Sequence, residues 1–110
     1  MDLIIKGVLE IETRNGYKIP SRVIDLLIEI EQTGSLNSAV KNLGMSYSYA
    51  WNIIFKTNCQ LEHPLVVSRK GGNGGGIAGL TEEGKSLLEQ YRKLETDFRE
   101  FLGKHNLKIA

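Results

Sequence analysis

The chain has 110 residues, 41% of them hydrophobic and 25% charged, a length and balance that suit a single globular domain over residues 1–110. Its apolar runs are short and its N-terminal stretch MDLIIKGVLEIE contains acidic side chains, so we expect neither a membrane span nor a secretory signal, and a cytoplasmic location. One cysteine, Cys59, and two distant histidines, His63 and His105, predict no disulfide, no metal site and no cofactor. We expect Cys59 to be buried or half-buried.

The net charge of +1 is unevenly distributed along the chain. Residues 1–34 carry four basic and six acidic side chains, which gives −2, and residues 81–110 carry six of each, which gives 0. Residues 35–80 sum to +3, and their charged side chains are Lys41, Lys56, Glu62, Arg69 and Lys70. Because attraction to phosphate depends on the local field, this middle segment is the part suited to a nucleic acid.

The first third of the chain predicts a β-hairpin followed by a helix. Residues 3–12 lead through the turn Arg-Asn-Gly to Tyr-Lys-Ile-Pro, a pattern typical of a hairpin. Ser21 can cap a helix that runs to Thr33 and ends at Gly34. Its inward positions, spaced i, i+3, i+4 and i+7, are Val23, Leu26, Leu27 and Ile30.

Two short helices joined by a tight turn follow. Ser35 caps a helix to Leu43, Gly44 supplies the left-handed turn position, and Ser46 caps a third helix to about Asn58. The inward residues are Leu36, Ala39, Val40 and Leu43 on the second helix, and Ala50, Ile53, Ile54 and Thr57 on the third. This is a helix-turn-helix.

The third helix, residues 46–58, is the candidate recognition helix. Its spacing leaves Tyr47, Ser48, Tyr49, Asn52 and Lys56 facing outward. In a helix-turn-helix, the N-terminal part of this helix enters the major groove, where Asn52 can bond an adenine edge and Lys56 can meet the backbone. The tyrosines can bond phosphates or pack on thymine methyl groups. The alternative is that Tyr47, Tyr49 and Trp51 are core or half-buried residues.

A glycine-rich hairpin over residues 65–80 is predicted next. Strands over residues 65–69 and 77–80 enclose the run Gly-Gly-Asn-Gly-Gly-Gly, which suits a loop that approaches another backbone closely. A phosphate loop would need Gly-Lys-Ser/Thr leading directly into a helix, so a wing is the better interpretation. Arg69 and Lys70 at its base are placed for phosphate or the minor groove, with Asn73 in the loop, unless these side chains are only solvated.

Thr81 can cap a long final helix, with Glu82 and Glu83 at its positive end. Its apolar seam, at steps of 4, 3, 4 and 3, consists of Leu87, Tyr91, Leu94, Phe98 and Phe101. Leu88 and Leu102 widen this stripe beyond what a small domain needs. We therefore expect a homodimer through this helix, with packing inside one domain as the alternative.

Two stretches resemble a known family. Both are similar to the N-terminal DNA-binding domain of molybdate-dependent (ModE-type) transcriptional regulators. They are GSLNSAVKNLGMSYSYAW, residues 34–51, and GGNGGGIAGLTEEG, residues 71–84. Leu80-Thr81-x-x-Gly84 is loosely similar to LysR-type winged helices. The resemblance covers about residues 3–102 and implies a homodimeric winged helix. The family's DNA-facing regions would then contain Ser46, Tyr47, Ser48, Asn52, Arg69 and Lys70.

The resemblance stops short of the family's molybdate-binding modules. Full-length members carry these modules at the C-terminus, whereas the printed sequence stops at Ala110, so we expect a stand-alone DNA-binding domain with no molybdate site.

The sequence as a whole predicts an α+β, mainly helical, winged helix-turn-helix with an N-terminal β-hairpin, a β-hairpin wing and a long C-terminal helix. The function expected is sequence-specific binding of double-stranded DNA by a transcriptional regulator. The alternative is a winged-helix module that binds a protein partner. An enzyme is not expected, because no nucleophile, buried acid or metal ligand set converges.

Overall fold

Four helices and three small sheets make up the part of the chain that this computed structural model describes, residues 1–68 and 78–110. The helices are α1 (Ser21–Thr33), α2 (Leu36–Leu43), α3 (Tyr47–Gln60) and α4 (Glu82–Gly103). The strands are β1 (Asp2–Leu3), β2 (Ile11–Glu12), β3 (Lys18–Ile19), β4 (Val66–Ser68), β5 (Ala78–Leu80) and β6 (Leu107–Lys108). β1 pairs with β6, β2 with β3 and β4 with β5, all antiparallel. The predicted order of helix-turn-helix, wing strands and long helix is confirmed.

The start of α1 differs from the prediction. Pro20, not Ser21, is the N-cap: its backbone is extended (φ −59°, ψ 139°), no side chain caps the helix, and its carbonyl accepts a hydrogen bond of 2.9 Å from the Val23 amide. The ring of Pro20 presets this φ, so Ser21 becomes the first helical residue. The predicted end is confirmed, because Gly34 adopts φ 69° and its amide donates to the Ile30 carbonyl.

The caps of the helix-turn-helix follow the prediction. The hydroxyls of Ser35 and Ser46 accept hydrogen bonds of 3.2 Å from the backbone amides of Ser38 and Tyr49. Gly44 ends α2 at φ 66°. α3 extends to Gln60, two residues beyond the predicted end.

The core lies where α1, α2 and α3 meet the wing strands and α4. On α1 the four predicted inward residues are at most 1% exposed. Leu43 and Ile53, predicted as inward, are only half-buried at the edge of this core. The wing and α4 contribute the buried residues Leu65, Val66, Ala78, Leu80 and Leu88. The first residues of the wing are therefore as firmly packed as the helices.

The N-terminal segment departs from the predicted hairpin. β2 and β3 form a shorter hairpin, whereas the residues before them run along α4: the Arg99 guanidinium donates a 3.0 Å hydrogen bond to the Gly7 carbonyl. A side-chain Cβ at Gly7 would lie 2.7 Å from Cζ of Phe98, so only glycine fits this approach without a shift of that ring. The β1–β6 pair joins residues about a whole chain apart, which local patterns do not predict.

No helix in residues 1–68 and 78–110 combines the length and apolar character that crossing a membrane requires.

Candidate nucleic-acid interface

The structure brings the predicted recognition residues together on the exposed side of α3. Ser46, Tyr47, Ser48, Tyr49, Asn52 and Lys56 are all exposed. Tyr47 is 38% and Tyr49 51% exposed, so neither tyrosine is a core residue. Trp51, in contrast, is half-buried against the core, with the Tyr47 ring packed edge-on at a centroid distance of 6.4 Å. The core interpretation therefore holds for the tryptophan alone.

The electrostatics of α3 favour a negatively charged ligand. Lys56 is the only charged residue in the helix, and the first turn contains no acidic side chain. The unpaired amides at the helix start carry a partial positive charge, which an acid would neutralise. An anion can therefore approach the N-terminal half of α3 without meeting a carboxylate on this helix.

One buried hydrogen bond fixes α3 against the β2–β3 hairpin. The hydroxyl of Thr57, which is 0% exposed, lies 2.9 Å from the hydroxyl of Tyr17. A buried hydroxyl needs a hydrogen-bond partner, so the inward prediction for Thr57 implied such a bond. Nothing local identified Tyr17, forty residues earlier, as that partner.

A second side chain joins α3 to the wing. The Asn58 amide nitrogen donates to the Val66 carbonyl at 3.1 Å, and its oxygen accepts from the Leu65 amide at 2.8 Å. The first strand of the wing is thereby held at a set position relative to α3. Sequence reasoning treated Asn58 only as the end of the helix, because its two partners become neighbours only after the loop folds back.

The far side of the wing is held by Thr81 and Gly84. The Thr81 hydroxyl donates to the Pro64 carbonyl at 2.7 Å and accepts from the Gly84 amide at 3.0 Å, which confirms the predicted cap of α4. A Cβ on Gly84 would lie only 2.2 Å from the Leu65 carbonyl oxygen. The start of α4 thus touches the backbone before β4, and only glycine allows this distance.

The predicted wing contacts Arg69, Lys70 and Asn73 lie outside the described residues. The wing strands are described from Val66 to Ser68 and from Ala78 to Leu80, with Ser68 opposite Ala78.

Cys59 contradicts its prediction, because it is exposed. It lies seven residues after Asn52, two helical turns further along the same outward face, and α3 continues past it. Among the described residues, no group of three or more histidine, cysteine or acidic side chains could hold a metal ion.

The predicted seam of α4 divides into covered and uncovered parts. Leu87 and Tyr91 are half-buried against the protein's own core. Phe98 is half-buried beside Gly7. Leu94 and Phe101 remain 54% and 58% exposed.

Tyr91 also has a shifted titration. Burial raises the pKa of Tyr91, and the negative charge of the Glu95 carboxylate raises it further. The Tyr91 hydroxyl donates a 3.5 Å hydrogen bond to this carboxylate.

More apolar side chains are exposed near the second half of α4. On the neighbouring N-terminal segment, Ile4 is 84% and Val8 78% exposed. We call the two exposed apolar side chains of α4 itself, Leu94 and Phe101, which are seven residues apart on one face of the helix, the α4 patch.

The curated proteins that this chain resembles in sequence include transcriptional regulators and proteins named for molybdenum. The chain is 36% identical over 94 residues to the molybdenum transport protein ModE of Azotobacter vinelandii, covering 86% of this chain and 35% of that protein. It is 43% identical over 70 residues to the DNA-binding transcriptional dual regulator ModE of Escherichia coli K12, covering 64% of this chain and 27% of that protein. The chain thus spans about a third of the length of the curated relatives it matches. No protein-family model matches it.

Solved structures identify the fold. The full-length LTTR LysG from Corynebacterium glutamicum superposes with a TM-score of 0.58 at 24% identity, covering 78% of this chain and 28% of that chain. The DNA-binding domain of CbnR in complex with DNA superposes with a TM-score of 0.55 at 23% identity, covering 74% of this chain and 88% of that chain. This protein has the winged-helix fold of LysR-type DNA-binding domains, and its sequence homologues include proteins named ModE and the molybdenum-pterin-binding protein MopB of Rhodobacter capsulatus.

Proposed function

We propose that this protein is a sequence-specific double-stranded DNA-binding transcriptional regulator of the ModE type. The observation that carries the proposal is the exposed face of α3: its predicted recognition side chains are exposed together, and no acidic residue lies on the helix. α3 enters the major groove, and the wing over residues 65–80 lies on the adjacent backbone or minor groove. The protein acts by occupying DNA rather than by catalysis.

The side chains on α3 have two roles in this proposal. Asn52 bonds a base edge, because an amide matches the donor and acceptor of adenine. Ser46, Tyr47, Ser48 and Tyr49 lie at or beside the helix start and contact phosphates or base edges, and Lys56 contacts the backbone. Arg69, Lys70 and Asn73 of the wing supply further phosphate or minor-groove contacts.

The homologues named as transcriptional regulators favour duplex DNA over a protein partner for this surface. A protein of this function resides in the cytoplasm with the DNA, and we treat residues 1–110 as one DNA-binding domain.

The protein further acts as a homodimer through the α4 patch. Leu94 and Phe101 offer apolar surface that the described residues of one chain leave exposed, whereas Leu87 and Tyr91 serve the chain's own core. A two-fold axis at this patch would pair two copies of α3 on one face of the duplex, about 34 Å apart. The DNA target is then an inverted repeat.

Titration of duplex DNA across salt concentrations tests the proposal. Contact with about four to eight phosphates per dimer gives a slope of log K against log salt of roughly −4 to −7, because each contact releases counterions. A flat slope, or no duplex binding even at low salt, would overturn the proposal in favour of the protein-binding module.

Two substitutions separate base reading from phosphate contact. Asn52→Ala should relax the base preference found by selection from random duplexes, because a bidentate base contact provides about 1–3 kcal/mol of discrimination. Lys56→Ala should weaken all sequences alike and lower the salt slope by about 1. Lys93→Ala, which removes an exposed lysine of α4, is the matched control and should change neither quantity. An unchanged motif with Asn52→Ala would refute the role of Asn52.

A further inference from the structure

Phe55 is the most exposed aromatic side chain of the protein, at 66%. It lies in the middle of α3 and takes no part in the hydrophobic core. A phenylalanine left in water forgoes the stabilisation that its burial would give, so this side chain is suited to becoming buried when a ligand binds.

Helical spacing puts Phe55 on the same face as Asn52. Ser48, Asn52 and Phe55 follow one another at steps of four and three, and all three are exposed. The buried residues of the helix, Ala50, Ile54 and Thr57, occupy the other side. Phe55 therefore extends the polar face of α3 with one apolar group, three residues past the proposed base-reading amide.

The position of Phe55 also lies toward the wing. Asn58, three residues later and adjacent on the helix surface, binds the backbone of Leu65 and Val66. Phe55 thus lies next to the junction of α3 with β4. A duplex held by both the helix and the wing would pass this junction.

The chemistry of the major groove limits what an apolar side chain can recognise there. Among the base edges exposed in that groove, the apolar group is the C5-methyl of thymine, and phenylalanine is one of the residues that contact it. Three residues advance a helix by about 4.5 Å, and successive base pairs are about 3.4 Å apart. The contacted thymine is then one or two base-pair steps from the base that Asn52 reads.

We propose that Phe55 is a specificity-determining residue that packs on the 5-methyl group of a thymine in the major groove, on the wing side of the Asn52 contact. This inference rests on the proposed function, because it requires α3 to enter the groove. It adds a base preference that hydrogen bonding by the polar residues of α3 does not supply.

Replacement of thymine by deoxyuridine tests this contact, because it removes the methyl group and keeps the base pair. A duplex selected from a random pool with the wild-type protein is resynthesised with one thymine at a time replaced by deoxyuridine. We expect one position per half-site at which wild-type affinity falls about three- to tenfold, the value of one buried methyl group. With Phe55→Ala, deoxyuridine and thymine should bind equally at that position.

Phe55→Leu is the matched variant. Leucine keeps an apolar contact, so it should retain most of the thymine preference, and thermal unfolding should show that both variants fold like the wild type. The inference is wrong if no deoxyuridine substitution lowers the affinity of the wild-type protein. It is also wrong if deoxyuridine lowers the affinity of Phe55→Ala as much as that of the wild type. In both cases the proposal of duplex binding would stand. Failure of the wild type to bind any duplex at low salt would instead overturn the proposed function and this inference with it.

Discussion

α3 and α4 are both amphipathic helices with exposed aromatic side chains, yet the protein holds them in different ways. α3 is bonded at its start and in its last turn: Ser46 caps its start, Thr57 meets Tyr17, and Asn58 binds the start of the wing. α4 is docked at its first turn by Thr81 and Gly84, and further along Arg99 bonds the Gly7 carbonyl. In its second half, Leu94 and Phe101 remain exposed.

The proposed function assigns DNA reading to the surface of α3 and pairing of two copies to the exposed apolar side chains of α4. Side chains that read a base must be held in a fixed position, and the tertiary hydrogen bonds of Thr57 and Asn58 would contribute to this for α3. An apolar patch such as the α4 patch needs only area and shape to associate. The two helices thus suit reading and pairing respectively, and the following substitutions test that division.

The largest effect is expected at the docked end of α4. Gly84→Ala would place a Cβ 2.2 Å from the Leu65 carbonyl oxygen, backbone that cannot move aside without shifting the wing. We expect a loss of about 3 kcal/mol or more in the free energy of unfolding, measured by urea denaturation. Gly103→Ala, on the same helix with no atom within 4 Å of the added Cβ, should be neutral or slightly stabilising. Equal stability of the two variants would contradict this description of the docked end.

The next largest effect is expected at the α4 patch. Leu94→Glu combined with Phe101→Glu places like charges across the proposed two-fold axis. We expect a folded monomer by sedimentation and about a hundredfold weaker binding to an inverted repeat, because both half-sites no longer bind together. Thr96→Glu adds a charge at an exposed polar position of the same helix and should remain dimeric. A double variant that stays dimeric would move the interface away from Leu94 and Phe101.

Asn58 tests how strongly α3 positions the wing. Asn58→Ala removes both hydrogen bonds to the strand backbone, so the free energy of unfolding should fall by about 1–3 kcal/mol. The salt slope of DNA binding should also become shallower, since the wing would be held less firmly at its proposed place beside the duplex. Asn42→Ala is the control, because the Asn42 amide donates a solvent-exposed hydrogen bond to the Glu29 carboxylate. If Asn42→Ala lowers the free energy of unfolding as much as Asn58→Ala, the hydrogen bonds from Asn58 to the wing backbone do not stabilise the fold more than an exposed hydrogen bond does.

The smallest effect is expected at the bond between α3 and the hairpin. Tyr17→Phe leaves the buried Thr57 hydroxyl without its partner, which should cost about 1 kcal/mol in thermal or urea unfolding. Combining Tyr17→Phe with Thr57→Val removes both hydroxyls, so the double variant should be less destabilised than the sum of the single variants. Strict additivity would mean that the two hydroxyls are not coupled.

Much of the helix-turn-helix was predictable because its signals are local. Caps such as Ser35 and Ser46, and the left-handed positions Gly34 and Gly44, depend on atoms only a few residues apart. The helical period predicted five exposed residues of α3 correctly, but it did not identify Phe55 and Cys59, which are also exposed. Ser21 was the exception among the caps, since the preceding proline starts the helix one residue earlier.

Tertiary structure decided which residues join the elements. The pairing of β1 with β6, the contact of Gly7 with Phe98 and the bond between Tyr17 and Thr57 link positions that no local pattern relates. Gly84 entered the sequence analysis only through a family resemblance, and the physical reason for a glycine there is the Leu65 carbonyl that lies beside it in the fold. The seam of α4 likewise read as one continuous stripe. In the folded chain, Leu87 and Tyr91 are covered, whereas Leu94 and Phe101 remain exposed. The sequence could not divide the seam in this way, because burial depends on neighbours that are distant in the chain.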